Sequence, residues 1–276
     1  MSVSPCVALM TVPEKMISAG KTAMVSNYQA LFCDIVPSGL CIWYNSRCPH
    51  MERETIMQMI HSQSDLSSLV EACGFLPFFR SAVPGFSVEE HTPSDLWFAD
   101  GVEGPWEWKG PVIRETGCAY GKFFQGKAGF ITREWYLDFA NYRRDGYDFD
   151  ARCDEGLMRY QDKLVYSVLE ENGSLVSRQW RELSGIKNRG EFDSPVGRLQ
   201  MLGYVMTSDF EYSLTKDGVP YGWGLSRYTT PELLFGEDFS SHVYQRSPEA
   251  SKERIERYLK DLLPGATARQ LSRIIG

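Results

Sequence analysis

Long apolar runs are missing from this chain. A membrane-crossing helix needs about 18–20 consecutive apolar residues. The longest candidate, ALFCDIVPSGLCIWY at 30–44, is broken by Asp34, Pro37 and Gly39, so no membrane span is expected. Basic charge is short as well: 29 Lys and Arg stand against 36 Asp and Glu, a net charge of −7. A diffuse grip on phosphates shows as a basic excess. Any contact with nucleic acid must therefore come from a local patch. No G-x-S-x-G elbow marks a nucleophilic serine, and the Walker spacing of a phosphate loop is absent. His61, His91 and His242 are isolated, with no His-x-x-x-His or His-Cys grouping. The N-terminus lacks a basic region followed by an apolar core, so no secretory signal is read. Seven cysteines are odd in number and irregularly spaced, which predicts a reduced, cytoplasmic chain. No metal or cofactor is expected.

What is present reads as an ordinary globular chain. The 276 residues allow one large domain or two small ones, and 43% hydrophobic with 24% charged residues can build a sizeable core. Residues 1–50 stand apart. They hold Cys6, Cys33, Cys41 and Cys48, few charges and no sustained period. They are expected to be a poorly ordered extension, or upstream sequence before a true start at Met51 or Met57. Cys41, Cys48 and His50 lack a spacing that favours zinc.

From residue 51 the periodicity predicts an α+β, helix-rich fold. Ile56, Met59 and Ile60 read as one helix. Ser64 or Asp65 caps a second, carrying Leu66, Leu69 and Val70 and ended by Gly74. Pro105 opens a helix that Gly110-Pro111 interrupts. Tyr120 to Ile131, turning at Gln125-Gly126, reads as a β-hairpin. Trp135, Phe139 and Tyr142 mark a helix ending near Gly146. Residues 51–153 thus form an N-terminal α/β part. Over 154–235 three helices precede a two-stranded hairpin, the order of a winged helix. An amphipathic helix capped by Ser247, and a short one at 268–275, make up 236–276.

Three places carry candidate chemistry. The third helix of the winged-helix segment presents Arg198 and Gln200, side-chain types that read guanine and adenine edges. Glu191, Asp193, Asp209 and Glu211 beside it would repel phosphates and suit a protein partner. In the 119–132 hairpin, Lys122 and Lys127 sit among Tyr120, Phe123, Phe124 and Phe130. These either hold phosphates and stack bases, or form a core with the lysines at its rim. The third place is NYRRDGYDFDAR at 141–152. Arg143 and Arg144 end a helix, where cations are favoured. Asp148 and Asp150 then share one face of a short strand with Arg152. They are candidate catalysts or cation ligands, or partners in an ion-pair network with the arginines.

The runs YGKFFQGKAGFITREWYLDFANYRRDGYDFDARCDEGL, RLQMLGYVMTSDFEY and PYGWGLSRYTTPE resemble the AlkZ-related proteins, distant relatives of the AlkZ/YcaQ winged-helix DNA glycosylases. The resemblance extends from about Leu66 to the C-terminus and is much weaker to the glycosylases themselves. It implies nucleic-acid binding related to DNA repair, with base excision as the enzymatic form. The glycosylase signature is Gln-apolar-Gln or Gln-apolar-Asp. Here only Gln63-Ser64-Asp65 matches its spacing, with a polar residue in the middle. Gln63 and Asp65, or Asp148 and Asp150, would then position water; Asp65 also suits a helix cap. Lys122, Lys127, Arg143 and Arg144 would contact phosphates, and Arg198 and Gln200 base edges. The rival is a non-catalytic protein-interaction or regulatory module.

Overall fold

A computed structural model describes residues 31–35, 41–45, 57–98, 101–218 and 220–276. The chain divides into two units, Met1–Glu54 and Thr55–Gly276. In the first, Leu31–Ile35 (β1) and Cys41–Asn45 (β2) pair antiparallel, with Cys33 opposite Trp43. The remaining expectations for residues 1–50, including Cys48 and His50, lie outside the described residues.

The second unit begins with Gln63–Cys73 (α1), Phe75–Pro77 (β3), Val88–His91 (α2), Asp95–Phe98 (α3) and Pro105–Thr116 (α4). Ala119–Phe124 (β4) and Lys127–Ile131 (β5) form the hairpin, followed by Arg133–Arg144 (α5) and Phe149–Asp154 (α6). Next come Tyr160–Asn172 (α7), Leu175–Val176 (β6), Ser177–Leu183 (α8), Arg189–Met201 (α9), Met206–Leu214 (β7) and Pro220–Thr229 (β8). Pro231–Phe235 (α10), Glu237–His242 (α11), Pro248–Leu262 (α12) and Ala268–Ile275 (α13) complete the chain. The class is mixed helix and antiparallel sheet, as the periodicity predicts.

One six-stranded sheet, ordered β3-β5-β4-β7-β8-β6, runs through the whole unit. Tyr120 opposite Thr207 is the pair that joins its two halves. The β4–β5 turn is tight because Gln125 and Gly126 both take positive φ, 53° and 78°; this left-handed pair matches the twist of the flanking strands. Two apolar cores flank the sheet. One gathers Phe75, Phe78, Phe123, Phe130, Tyr136, Phe139 and Ile255. The other gathers Val165, Leu169, Trp180, Phe192 and Leu199. Burying each such side chain contributes about 1.5–3 kcal/mol.

Several local expectations change. Residues 57–61 are not helical, and the Ile60 N–H donates to the His91 carbonyl instead. The cap of α1 is Ser62, whose hydroxyl accepts from the Asp65 N–H. Helix α4 runs through Gly110-Pro111 without interruption. Pro costs roughly 3 kcal/mol in a helix interior, here offset by burial of Trp108, Val112 and Ile113. Residues 149–152 are helix rather than strand, because Asp148 accepts from the Ala151 N–H at 2.7 Å and starts α6.

Gly129 shows how tightly the sheet is built. A Cβ there would lie 2.3 Å from the Phe124 ring and 2.7 Å from the Leu76 carbonyl oxygen. The carbonyl belongs to the paired strand and cannot move aside. Gly129→Ala should cost about 1–3 kcal/mol, in the range of core overpacking, measured by urea unfolding.

Candidate functional site

Helix α4 turns Trp108, Lys109, Val112 and Ile113 inward. That periodic face is apolar except for Lys109, which is only 5% exposed. Its Nζ donates to the Trp106 carbonyl at 2.7 Å. It lies 4.7 Å from the Trp106 ring centroid and 4.4 Å from that of Phe210 on β7. The aromatic faces supply negative potential, and no carboxylate forms an ion pair with it among the described residues. Burial pulls the Lys109 pKa down from 10.5 to about 8, with Glu107 partly opposing. The amine therefore loses its proton near pH 8 rather than 10.5, and a minority of it is already neutral at physiological pH.

Lys109 opens onto a cavity of about 230 Å³ with walls from Phe79, Trp106, Tyr120, Phe210 and Tyr228. Gly121 and Gly224 line it too, packed closely against the Phe123 and Tyr212 rings, and Lys122, Ala128, Gln200, Thr207 and Ser226 complete the lining. Small-molecule sites usually measure about 300–1,000 Å³. This cavity suits one planar ring or a small polar fragment. A second cavity, of about 180 Å³, shares the Phe79 wall and is lined by Ser81, Gln125, Lys127 and Arg273. Arg80, Lys122, Lys127 and Arg273 are all exposed around the two. Glu89, which accepts from the Arg80 N–H, is an acid among them. Against a net charge of −7, this is a local basic rim.

The residues singled out from the sequence are dispersed. Lys122 and Lys127 are exposed, and Lys127 Nζ donates to the Arg80 carbonyl at 2.8 Å. The aromatics around them are core: Tyr120, Phe123, Phe124 and Phe130 are all buried, so the base-stacking surface gives way to the rim reading. Arg143 is half-buried and donates to the Phe123 carbonyl; its guanidinium lies over the Phe139 ring. Arg144 is fully buried and donates to Glu232, Tyr244 and the Gly203 carbonyl. It cannot reach a phosphate. Gln200 is buried too; its Oε1 accepts from the Lys122 N–H and its Nε2 donates to the Val196 carbonyl, which removes it from any base edge. Arg198 is held by Asp162, with two guanidinium nitrogens on one carboxylate.

The four candidate catalysts do not meet in either cavity. Gln63 donates to Glu115 at 3.1 Å. Asp65 accepts from the His61 N–H, and that bond, with the Ser62 hydroxyl, holds its pKa below the usual value. Asp148 caps α6. Asp150 is exposed and pairs with no arginine among the described residues. The ion-pair network at 141–152 is therefore built differently from expectation. Arg144 takes its carboxylate from Glu232 on α10, and Arg152 donates to the Arg144 carbonyl at 2.8 Å. The Tyr147 carbonyl accepts from Tyr204 and Tyr244. Sequence reasoning missed Lys109; its one signal was a lysine at an inward position of the Trp106–Ile113 helix.

Sheet, cavity and rim together define an α+β protein whose aromatic slot holds a buried amine beside a basic edge. The chain belongs to the AlkZ-related family: the family model described as AlkZ related matches residues 60–276. No curated protein and no solved structure matches it. Among the described residues, no helix is long and apolar enough to cross a membrane and no cluster of His, Cys, Asp and Glu could hold a metal ion.

Proposed function

We propose that this AlkZ-related chain binds nucleic acid in a DNA-repair role, and that the nucleic acid meets it at the β4–β5 hairpin. The cavity carries this reading. It accommodates one planar group and is walled by aromatic rings with Lys122 in its lining, while Lys127 and Arg273 line the neighbouring cavity that shares Phe79. A repair protein that inspects a single nucleotide extrudes it from the stack into a pocket of this kind, while cations at the rim hold the backbone. Family membership over residues 60–276 supports the same reading.

The winged helix belongs to the proposal as well. It is supported by the order α7-β6-α8-α9-β7-β8 and by β8 lying between β6 and β7. In such modules the third helix normally enters the major groove. Here α9 exposes Glu191 and Asp193, buries Gln200 and ties Arg198 to Asp162. That surface disfavours phosphate. We therefore assign α9 to packing or to a protein partner, and the rim to nucleic acid. Catalytic roles for Gln63, Asp65, Asp148 and Asp150 draw no support, since their atoms serve a Glu115 bond, helix ends or solvent.

Fluorescence anisotropy with a labelled duplex, intact or carrying one abasic site, tests this across a salt series. Affinity should fall steeply with salt, and be tighter for the abasic duplex. Removing Lys122 by Lys122→Ala should weaken binding and reduce the salt slope by about 1. No binding at low salt, or binding that Lys122→Ala and Lys127→Ala together leave unchanged, would favour the non-catalytic protein-contact module.

A further inference from the structure

Lys109 is the one strongly buried lysine among the described residues; it lines a cavity, and no carboxylate forms an ion pair with it there. A structural lysine normally keeps its ammonium in water or on an acid. Here the Nζ is enclosed by the Trp106 and Phe210 rings and anchored only by the Trp106 carbonyl, at 2.7 Å. The same carbonyl also accepts from the Tyr212 hydroxyl at 3.2 Å. It is thus partly satisfied without the lysine, which leaves the amine free to exchange that bond. Tyr120 lines the same cavity, and burial raises its pKa so that its hydroxyl stays protonated. A protonated phenol in the same cavity can donate a hydrogen bond to a carbonyl oxygen and polarise it for attack by the amine once that amine has lost its proton.

We propose that Lys109 is a nucleophile that captures the aldehyde of a ring-opened abasic deoxyribose as a covalent imine. This rests on the nucleic-acid reading above and names the substrate class of that site. The neutral Nζ lone pair attacks the aldehyde carbon and a C–N bond forms. The carbonyl π pair moves to oxygen, which takes a proton, and the nitrogen loses one. The carbinolamine then expels its hydroxyl as water with a second proton, leaving C=N. One amine and one aldehyde give one imine and one water, with no oxidant or reductant. The reaction is reversible by hydrolysis, so the product is a held lesion. The absence of a base matches the modest cavity, since a base-less sugar needs less room than a nucleotide.

The groups facing Lys109 set its pH response. They are Glu107 on its own helix, Tyr120 and Lys122 from β4, Tyr212 from β7 and Tyr228 from β8. Glu107 and Lys122 are an acid and a base, so their fields on the amine oppose each other. Capture should therefore rise from pH 6 toward pH 8–9 as the amine loses its proton, whose pKa lies at about 8, and flatten above. An exposed lysine would keep rising to about pH 10.4.

The test is cyanoborohydride trapping of the full chain with an abasic oligonucleotide, and separately with propanal, followed by peptide mapping. The expected result is one adduct at Lys109 from both probes, lost at least ten-fold in Lys109→Met, with capture levelling near pH 8–9. Adducts mapped to Lys122 or Lys127, and undiminished in Lys109→Met, would overturn it. So would abasic DNA that binds in the anisotropy assay and is not trapped; the binding reading would then survive alone. Trapping of propanal at Lys109 without any DNA binding would sink the nucleic-acid reading and with it the abasic substrate, while leaving the amine reactive.

Discussion

Glu232→Ala is expected to destabilise the protein by about 3 kcal/mol or more, the scale of breaking a buried ion pair. The reason lies in its partner. The Arg144 side chain is 0% exposed, whereas that of Glu232 is 36% exposed. Removing Glu232 alone loses little packing. It strands a guanidinium that cannot shed its proton between the Tyr204 and Phe239 rings. Burial works against the Arg144 charge; Glu232, then Tyr244 and Tyr136, more than restore it and hold its pKa above the ordinary arginine value. The remaining bonds, to Tyr244 at 2.9 Å and the Gly203 carbonyl at 2.7 Å, are neutral acceptors. Urea unfolding at neutral pH reads the loss. Glu232→Gln should lose less, since it keeps an oxygen acceptor. Arg178→Ala, which breaks the exposed Arg178–Glu182 pair, should fall within about 0–1 kcal/mol. A Glu232→Ala effect as small as that control would show that Arg144 finds compensation elsewhere.

Lys109→Met should instead stabilise the protein, by about 2–3 kcal/mol at pH 7. Methionine fills a similar volume without a charge. Lowering the lysine pKa from 10.5 to about 8 corresponds to about 3 kcal/mol at about 1.4 kcal/mol per pH unit. The sign follows from linkage. Below pH 8 the lysine is protonated in both states and the folded state bears the whole burial penalty. Between about pH 8 and 10.5 the folded lysine is neutral while the unfolded one is still charged, so wild-type stability gains from this group as pH rises. Above 10.5 both are neutral and the penalty is gone. The advantage of Lys109→Met should therefore shrink from pH 8 upward and vanish near pH 10.5. Buried tyrosines such as Tyr120 and Tyr136, whose pKa values burial raises, destabilise both proteins equally in that range. Subtracting the two curves removes them. Paired thermal melts from pH 7 to 10.5 are the measurement. A Lys109→Met protein less stable than wild type at pH 7 would mean that the aromatic contacts outweigh desolvation. A stabilised variant also makes loss of imine trapping attributable to the missing amine, because unfolding is then excluded.

Element type was legible wherever periodicity was strong. Trp135, Phe139 and Tyr142 announced α5, and Gln125-Gly126 announced the β4–β5 turn, because spacing and turn chemistry are local properties. The α7–α9 helices and the β7–β8 hairpin were legible for the same reason. The two-residue β6 was not, since a strand that short exists only through its pairing with Tyr228 and Arg227 on β8. The Asp148–Arg152 segment read as a strand by alternation. A single cap bond to Ala151 reversed it, as one hydrogen bond outweighs a weak pattern over so few residues.

Charge-bearing residues behaved differently. Composition alone settled that any nucleic-acid contact must be local, because an acidic chain cannot grip phosphates diffusely. The family resemblance came instead from particular runs such as NYRRDGYDFDAR. The number of arginines near 141–152 said nothing about their partners. Arg144 binds a glutamate 88 residues away and Arg198 an aspartate 36 residues back. Gln200 turns to a backbone N–H on β4. Lys109 became a candidate amine only when α4 packed against β7 and closed Trp106, Phe210 and Tyr120 around it. Helical and strand patterns are written in neighbours three or two residues apart, so a linear reading recovers them. Desolvation and ion pairing depend on which distant surfaces meet, and the close packing of the folded chain alone sets that.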